Sequence, residues 1–233
     1  MQKENKVGIV IVTYNNPALI VPQLNCIKRF CKDDHDVIIV DNSTVEEARV
    51  AIEYHTREHI YIKVHSSSTN GSSSHSFAAN FAHLKFKDDY SHFFYMDHDL
   101  FPTRPFSATG ILDGNVMAGM GQGNGKVYFW PGCLFFGNGI DMELIDFAPY
   151  PGMDTGGGLY KVIEAYTDSC KHFGEEYFEN KYFNTNNPKY SYYSMIAGIF
   201  MHFLGGSDWE RVERNNERIN SLLNILQERC EAS

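Results

Sequence analysis

The run Val7-Gly8-Ile9-Val10-Ile11-Val12-Thr13 limits what this chain can fold into more than any other stretch. Side chains branched at Cβ favour extended backbone, and a run without polar alternation leaves neither face for water. It reads as a strand buried on both faces, the kind found inside a parallel sheet covered by helices. Tyr14-Asn15-Asn16-Pro17 ends it, and Pro17 suits the first turn of a helix that would carry Leu19, Ile20, Leu24 and Ile27 inward. Val37–Val40 is a second buried strand, closed by Asp41-Asn42-Ser43-Thr44 and followed by a helix from about Val45 to His55. Tyr61–His65 is a third, shorter strand. Strand and helix alternate, which predicts an α/β fold on a doubly wound, mostly parallel sheet.

The fourth strand carries the most distinctive chemistry. Phe93-Phe94-Tyr95-Met96 has a buried strand's length and aromatic content, and it stops at Asp97-His98-Asp99 before Leu100-Phe101-Pro102 turns the chain away. Carboxylates two apart at a strand end suit a divalent cation of the magnesium type, which takes one or two protein carboxylates and fills its other positions with waters and substrate phosphates. Asp34-His35-Asp36 spells the same tripeptide, but it precedes its strand among Lys32 and Asp33 and reads as a solvated turn. Only the second copy follows a strand, on the edge where open α/β sheets bind ligands.

Elsewhere the pattern is looser. His65–Ser76 (HSSSTNGSSSHS) reads as a flexible loop or as the polar mouth of a ligand site, and Phe77–Phe86 as a helix. Leu134–Phe136 reads as a strand, and Thr155–Cys170 as a helix opening on Gly156-Gly157-Gly158. Lys171–Tyr193 is polar, tyrosine-rich and unassigned, and Ile196–Leu204 is apolar but for His202. The last helix, Asp208–Glu231, has Asp208 as its N-cap and Val212, Ile219, Leu222, Leu223 and Leu226 on one face. That face reads as a packing surface, with a dimer or peripheral membrane contact as the lesser alternative.

Composition removes several classes. The 233 residues carry a net charge of -9 with no basic stripe, so nucleic acid is not the expected partner. Cys26, Cys31, Cys133, Cys170 and Cys230 form no C-x-x-C pair and read as reduced thiols rather than a disulfide framework or zinc site. No stretch reaches the roughly 18 apolar residues of a membrane span, and no apolar run of signal-peptide length follows MQKENK. A cytoplasmic protein is expected. Gly121-Gln122-Gly123-Asn124-Gly125-Lys126 is not a P-loop, because residue 120 is Met and no Ser or Thr follows Lys126. The first strand leads into no G-x-G-x-x-G, and there is no G-x-S-x-G elbow or H-E-x-x-H. What remains is a set of strand ends bearing Thr13-Tyr14-Asn15, Asp41-Asn42 and Asp97-His98-Asp99. Each alone reads as turn or cap chemistry; their recurrence at successive strand ends points to a ligand.

VGIVIVTYNN, VIIVDNST, NGSSSHSFAAN and FFYMDHDL together resemble the nucleotide-binding half of the family-2 glycosyltransferases, which have the GT-A fold. The resemblance covers about residues 7–100. It implies a single GT-A domain: about 1–100 for the nucleotide sugar, about 101–207 for acceptor and catalysis, and 208–231 as a terminal helix. It implies that Thr13, Tyr14, Asn15, Asp41 and Asn42 hold base and ribose. Asp97 would bind ribose, and Asp97 with Asp99 would bind Mn2+ or Mg2+ on the diphosphate. His75 and Asn80 would stand near the donor. The implied activity is inverting, metal-dependent transfer from a nucleotide-diphospho-sugar, of the UDP or dTDP type, to a hydroxyl of a glycan or similar acceptor. The serine-rich loop departs from the family's compact N-x-G turn. A sugar-1-phosphate nucleotidyltransferase is a second reading, although TYNNPALI lacks that class's basic glycine-rich loop. A catalytically silent carbohydrate-binding domain is a third.

The same resemblance suggests His202 as a further metal ligand, against a hydrogen-bonded histidine in an apolar strand. Trp130 offers a flat face to an acceptor sugar, against a core tryptophan. Asp154, in PYPGMDTGGGL, is the expected catalytic base, against a helix N-cap or a solvated loop carboxylate. Asp141, Glu143 and Asp146 are the alternatives, within a stretch that reads as helical.

Overall fold

The computed structural model describes residues 3–68, 70–123, 126–137, 139–205 and 215–232, with side chains from residue 6 onward apart from Pro188 and Lys189. In chain order the elements are β1 (Lys3–Thr13), α1 (Ile20–Phe30), β2 (His35–Asp41), α2 (Glu46–Thr56), β3 (Ile60–Lys63), α3 (Gly71–Phe86) and β4 (Tyr90–Asp97). Then follow β5 (Leu100–Pro102), α4 (Ala108–Leu112), β6 (Met117–Gln122), β7 (Tyr128–Phe136), α5 (Tyr160–Ala165) and β8 (Cys170–His172). The chain ends with β9 (Glu175–Glu179), β10 (Tyr192–Ile196), β11 (Phe200–His202) and α6 (Asn215–Glu231). It divides into two compact units. One is Met1–Asn15, Asp33–Asp97 and Ser107–Phe173; the other is Asn16–Lys32, His98–Phe106 and Gly174–Ser233.

The first unit is built on a seven-stranded sheet in the order β3-β2-β1-β4-β7-β6-β8. Only β7 runs against its neighbours β4 and β6; every other pair is parallel. The α/β class and the mostly parallel sheet expected from the sequence are therefore present. The order steps outward from β1 to β3 and then returns to place β4 on the other edge of β1. The switch point, where open sheets bind ligands, thus lies between β1 and β4. The β-branched residues of β1 are fully buried, and Gly8 sits among them because a Cβ there would stand 2.9 Å from the Tyr90 ring. Alanines at 78, 79 and 82 form the buried side of α3, small enough to bring the helix close to the strands. Beneath it the core is aromatic, with Tyr95 against Phe147 at 4.7 Å between centroids and Phe93 against Phe136 at 5.2 Å.

Several local readings change. The serine-rich segment is not a continuous loop: α3 begins at Gly71, with Asn70 Oδ1 accepting the Ser73 amide at 3.1 Å. Serine is a poor helix interior residue but is favoured where the first turn leaves amides to satisfy. His35 and Asp36 are not a solvated turn but the start of β2, where Asp36 pairs with Lys6 at 2.7 Å and accepts the Tyr90 hydroxyl at 2.9 Å. Thr155–Cys170 is not one helix. It is a 3-10 turn (Gly157–Leu159), α5, a second 3-10 turn (Thr167–Ser169) and the start of β8. Gly156 at φ 86 and Tyr166 at φ -128 interrupt the helical run at either side. The expected helix around Asp141–Asp146 is only the turn Met142–Leu144.

The second unit holds a four-stranded antiparallel sheet, β5-β11-β10-β9, with α1 and α6. Ile196–Leu204 is not a single strand: β10 and β11 form a hairpin whose turn puts Ala197 at φ 53 and Gly198 at φ 65. α1 is anchored to β5 by Gln23 Nε2 donating to the Leu100 carbonyl at 2.8 Å. α6 buries Ile219, Leu222, Ile225 and Leu226, so its apolar face packs within the chain. It also buries Arg218, which donates to the carbonyls of Tyr190, at 3.2 Å, and Leu204. Asp208 and Val212 lie outside the described residues. No described helix is long and apolar enough to cross a membrane.

Candidate active site

The ends of β1 and β2 are tied by side chains rather than left open. Asn15, at φ 48, accepts on its Oδ1 the amides of Thr44, at 2.8 Å, and Val45, at 2.9 Å. Its own amide nitrogen donates to Ser43 Oγ at 2.8 Å. α2 has no side-chain N-cap of its own, and Asn15 instead holds the two residues that lead into it, from the turn after β1. Tyr14 OH lies 3.3 Å from Thr44 Oγ1 on the same turn. Asp41 is fully buried, its Oδ1 taking the Ser43 amide at 2.9 Å and its Oδ2 the Tyr61 hydroxyl at 2.7 Å. Burial and that bond to Asp41 push the Tyr61 phenol well above its ordinary range. Thr13, also fully buried, has a hydroxyl with no hydrogen-bond partner among the described residues.

At the switch point, Val12 of β1 is the register neighbour of Asp97 in β4. Asp97 Oδ1 lies 2.8 Å from His75 Nε2, one turn into α3. The same helix end gathers two further segments. Asn42 Nδ2 donates to Ser74 Oγ at 2.8 Å, and Thr155 Oγ1 donates to the Ser72 carbonyl at 3.1 Å. The first unit thus brings together the β2 turn, the β4 carboxylate and the Asp154 loop around one helix N-terminus. Asn80, three turns in, points elsewhere: it donates to Asp146 Oδ1 at 3.1 Å and accepts the Phe147 amide at 2.9 Å.

Asp154 is exposed in its loop and caps no helix; its Oδ1 takes only the amide of Thr155, at 2.7 Å. Its backbone is held, the amide donating to Tyr128 OH at 3.1 Å and the carbonyl accepting from Gly157 at 2.9 Å. Gly156 fits the loop onto β7, because a Cβ there would lie 2.6 Å from the Phe129 carbonyl and 2.8 Å from Pro131 Cδ. Trp130, beside Pro131, is half-buried and not a core tryptophan; its ring lies over Gly132, where a Cβ would come within 2.0 Å of it. The other carboxylates are committed. Asp141 takes the Glu143 amide, Glu143 pairs with Lys87, and Asp146 takes the amide of Ala148 as well as Asn80.

In the second unit Asp99 is 3% exposed, and its Oδ1 has no hydrogen bond among the described residues. His202 Nε2 is 3.8 Å away. Ser194, opposite His202 in the β10/β11 register, is fully buried and its hydroxyl also lacks a partner, as does Nε2 of buried His98. Buried polar atoms without partners are rare, because each forfeits hydration for nothing. A buried carboxylate and a neighbouring imidazole are ligand types that a divalent cation takes. No group of three or more His, Cys, Asp or Glu side chains arranged for a metal occurs among the described residues.

Tyr61, Ser72, Ser74, Tyr128 and Ser194 were not singled out by sequence. All but Ser194 act through a partner distant in the chain, and the serine-rich segment that holds Ser72 and Ser74 carried the one general signal.

No family profile and no curated protein matches this chain by sequence. Among solved structures, it is similar to the mannosyltransferase PcManGT from Pyrobaculum calidifontis in complex with GDP-Man and Mn2+. The identity is 14%, the TM-score 0.49, and the match covers 72% of this chain and 54% of that one. It is similar to glucosyl-3-phosphoglycerate synthase from Mycobacterium tuberculosis in complex with Mn2+ and UDP-glucose, at 12% identity and TM-score 0.47, covering 72% and 68%. A third is the galactosyltransferase LgtC with donor and acceptor sugar analogues, at 17% identity and TM-score 0.40, covering 71% and 66%. The chain spans about half the length of the mannosyltransferase. With each TM-score below 0.5, the fold assignment rests on this chain's own strand order.

Proposed function

We propose that the protein is a metal-dependent, inverting glycosyltransferase that moves a sugar from a UDP- or dTDP-type nucleotide sugar to a hydroxyl of a glycan-type acceptor. The observation that supports it best is Asp97 at the β1/β4 switch point, tethered to His75. Switch points are where such sheets take their ligands, and the motif resemblance runs through the same residues. The nucleoside is assigned to the β1 and β2 turns. There Asp41, with both oxygens engaged and no exposed surface, acts by holding the turn that Asn42, Tyr14 and Asn15 shape.

Asp99 and His202, both in the second unit, would hold Mn2+ or Mg2+. The ion, when bound, offsets charge on the departing diphosphate. Inversion requires a single displacement, so the acceptor hydroxyl must lose its proton as it attacks. Asp154, exposed and with its backbone fixed by Tyr128, is assigned that proton. Trp130 is assigned to stack on the acceptor ring. The free thiols support a cytoplasmic setting for the reaction. The test is a thermal-shift series with UDP and dTDP, with and without Mn2+, on the wild type and on Asp99→Asn. Stabilisation that needs both nucleotide and metal, and that disappears in the variant at an unchanged apo melting temperature, is the expected result. A variant that turns over nucleotide sugar normally at saturating metal would sink the assignment.

A further inference from the structure

α1 and α6 meet within the second unit through two cysteines far apart in the sequence. Cys26 Sγ and Cys230 Sγ lie 4.0 Å apart, and both residues are buried. Next to them, Arg29 reaches one turn along α1 and donates to the Cys230 carbonyl at 2.8 Å, so the guanidinium fixes the end of α6 beside the pair. All five cysteines of the chain are free thiols.

We propose that Cys26 and Cys230 are an oxidisable dithiol, closing to a disulfide that fastens α6 to α1 when the protein meets a low-molecular-weight disulfide such as oxidised glutathione. Closing needs the sulfurs to approach by about 2 Å, since bonded sulfurs lie about 2.05 Å apart. Side-chain rotation and the last turn of α6 can supply this, because Cys230 stands one residue before the helix ends at Glu231. The two thiols are electrostatically unlike. Cys230 is drawn down to about 7, chiefly by the hydrogen bond from Cys26, with Arg29 helping against burial. Cys26 is pushed up by that same bond and then by burial. Cys230 is therefore the attacking sulfur, reached when the last turn of α6 frays.

The exchange runs in two displacements. The Cys230 thiolate attacks one sulfur of oxidised glutathione, and one glutathione thiolate leaves. Cys26 gives up its proton and attacks the Cys230 sulfur of the mixed disulfide, and the second glutathione leaves. Two protein thiols are oxidised, one small disulfide is reduced, and the two released glutathiones take the two thiol protons.

The experiment uses the full chain, incubated with oxidised glutathione or with dithiothreitol, then alkylated and mapped by non-reducing peptide mass spectrometry. The expected result is a cross-linked peptide joining Cys26 to Cys230, two fewer titratable thiols, and a melting temperature higher by about 5–10 °C in the oxidised protein. Dithiothreitol should reverse all three, and Cys26→Ser should leave Cys230 carrying glutathione without a cross-link. Wild-type protein that keeps all its thiols, stops at the mixed disulfide, or links a different cysteine pair would overturn the proposal. The wild-type map decides this whether or not the serine variant folds, and it does not depend on the sugar-transfer reading.

Discussion

Asn15 Oδ1 lies 2.8 Å from the Thr44 amide, so the turn after β1 is tied to the turn that leads from β2 into α2. Asn15 also adopts φ 48, a conformation that asparagine tolerates and alanine resists. Asn15→Ala should lower stability by about 1–2 kcal/mol in urea denaturation, from the lost turn-to-turn hydrogen bonds and the backbone strain together. A loss of nucleotide affinity with no change in stability would instead make the side chain a ligand contact.

Asp154→Asn removes the proposed base while keeping an oxygen for the Thr155 amide. We expect kcat to fall by about a hundredfold or more with nucleotide affinity nearly unchanged. Steady-state kinetics beside nucleotide titration separates the two. Near-normal kcat would return Asp154 to the status of a solvated loop carboxylate.

Trp130→Ala takes away the ring that covers Gly132. The acceptor KM should rise by about tenfold, the effect of one aromatic stacking contact, while the donor KM holds. An unaltered acceptor KM in a stable variant would show that the ring only shields the strand.

Acid should weaken the fold through His83. It is 2% exposed, bonds through Nε2 to the Met142 carbonyl at 2.9 Å, and is ringed by Phe93, Phe136 and Phe147. Burial, more than any other cause, holds its folded-state pKa below the ordinary value. A depressed histidine is protonated first in the unfolded chain, so its stability contribution is complete above about pH 6.5 and falls as pH drops below that. Half-buried His92 is shifted in the same direction, also chiefly by burial, and adds to the same acid limb. Urea denaturation at about pH 7.5 and about pH 5.5 should show a loss in the wild type that is smaller in His83→Gln. Equal losses in both proteins would clear His83.

The strands that line up at the switch point were legible because local chemistry and tertiary position agree there. The β-branched run of β1 cannot be exposed, and Phe93–Met96 cannot either, so both had to be interior strands. The tethers were not legible. That Asp41 is closed off by Tyr61, or Asn42 held by Ser74, depends on which strands and helices become neighbours. Asp36 shows the converse: by composition it is a turn residue, yet Lys6 and Tyr90 make it a strand residue. The Thr155–Cys170 segment misled for another reason, since its helical stretch is broken at Gly156 and Tyr166 by dihedral choices that side-chain periodicity does not record.

The strand order also governs how the chain can be made. Ile9 is flanked by Ile39 on one side and by Phe94 on the other. During synthesis β1 can close on β2 early, but its second edge must wait for β4, which comes after two more helices and a strand. Until then the apolar residues of β1 lie along an open row of amides and carbonyls, the form in which strands recruit other chains. Nascent or truncated chains ending before Tyr90 are therefore the species most exposed to aggregation, and completing β4 is the step that removes the hazard.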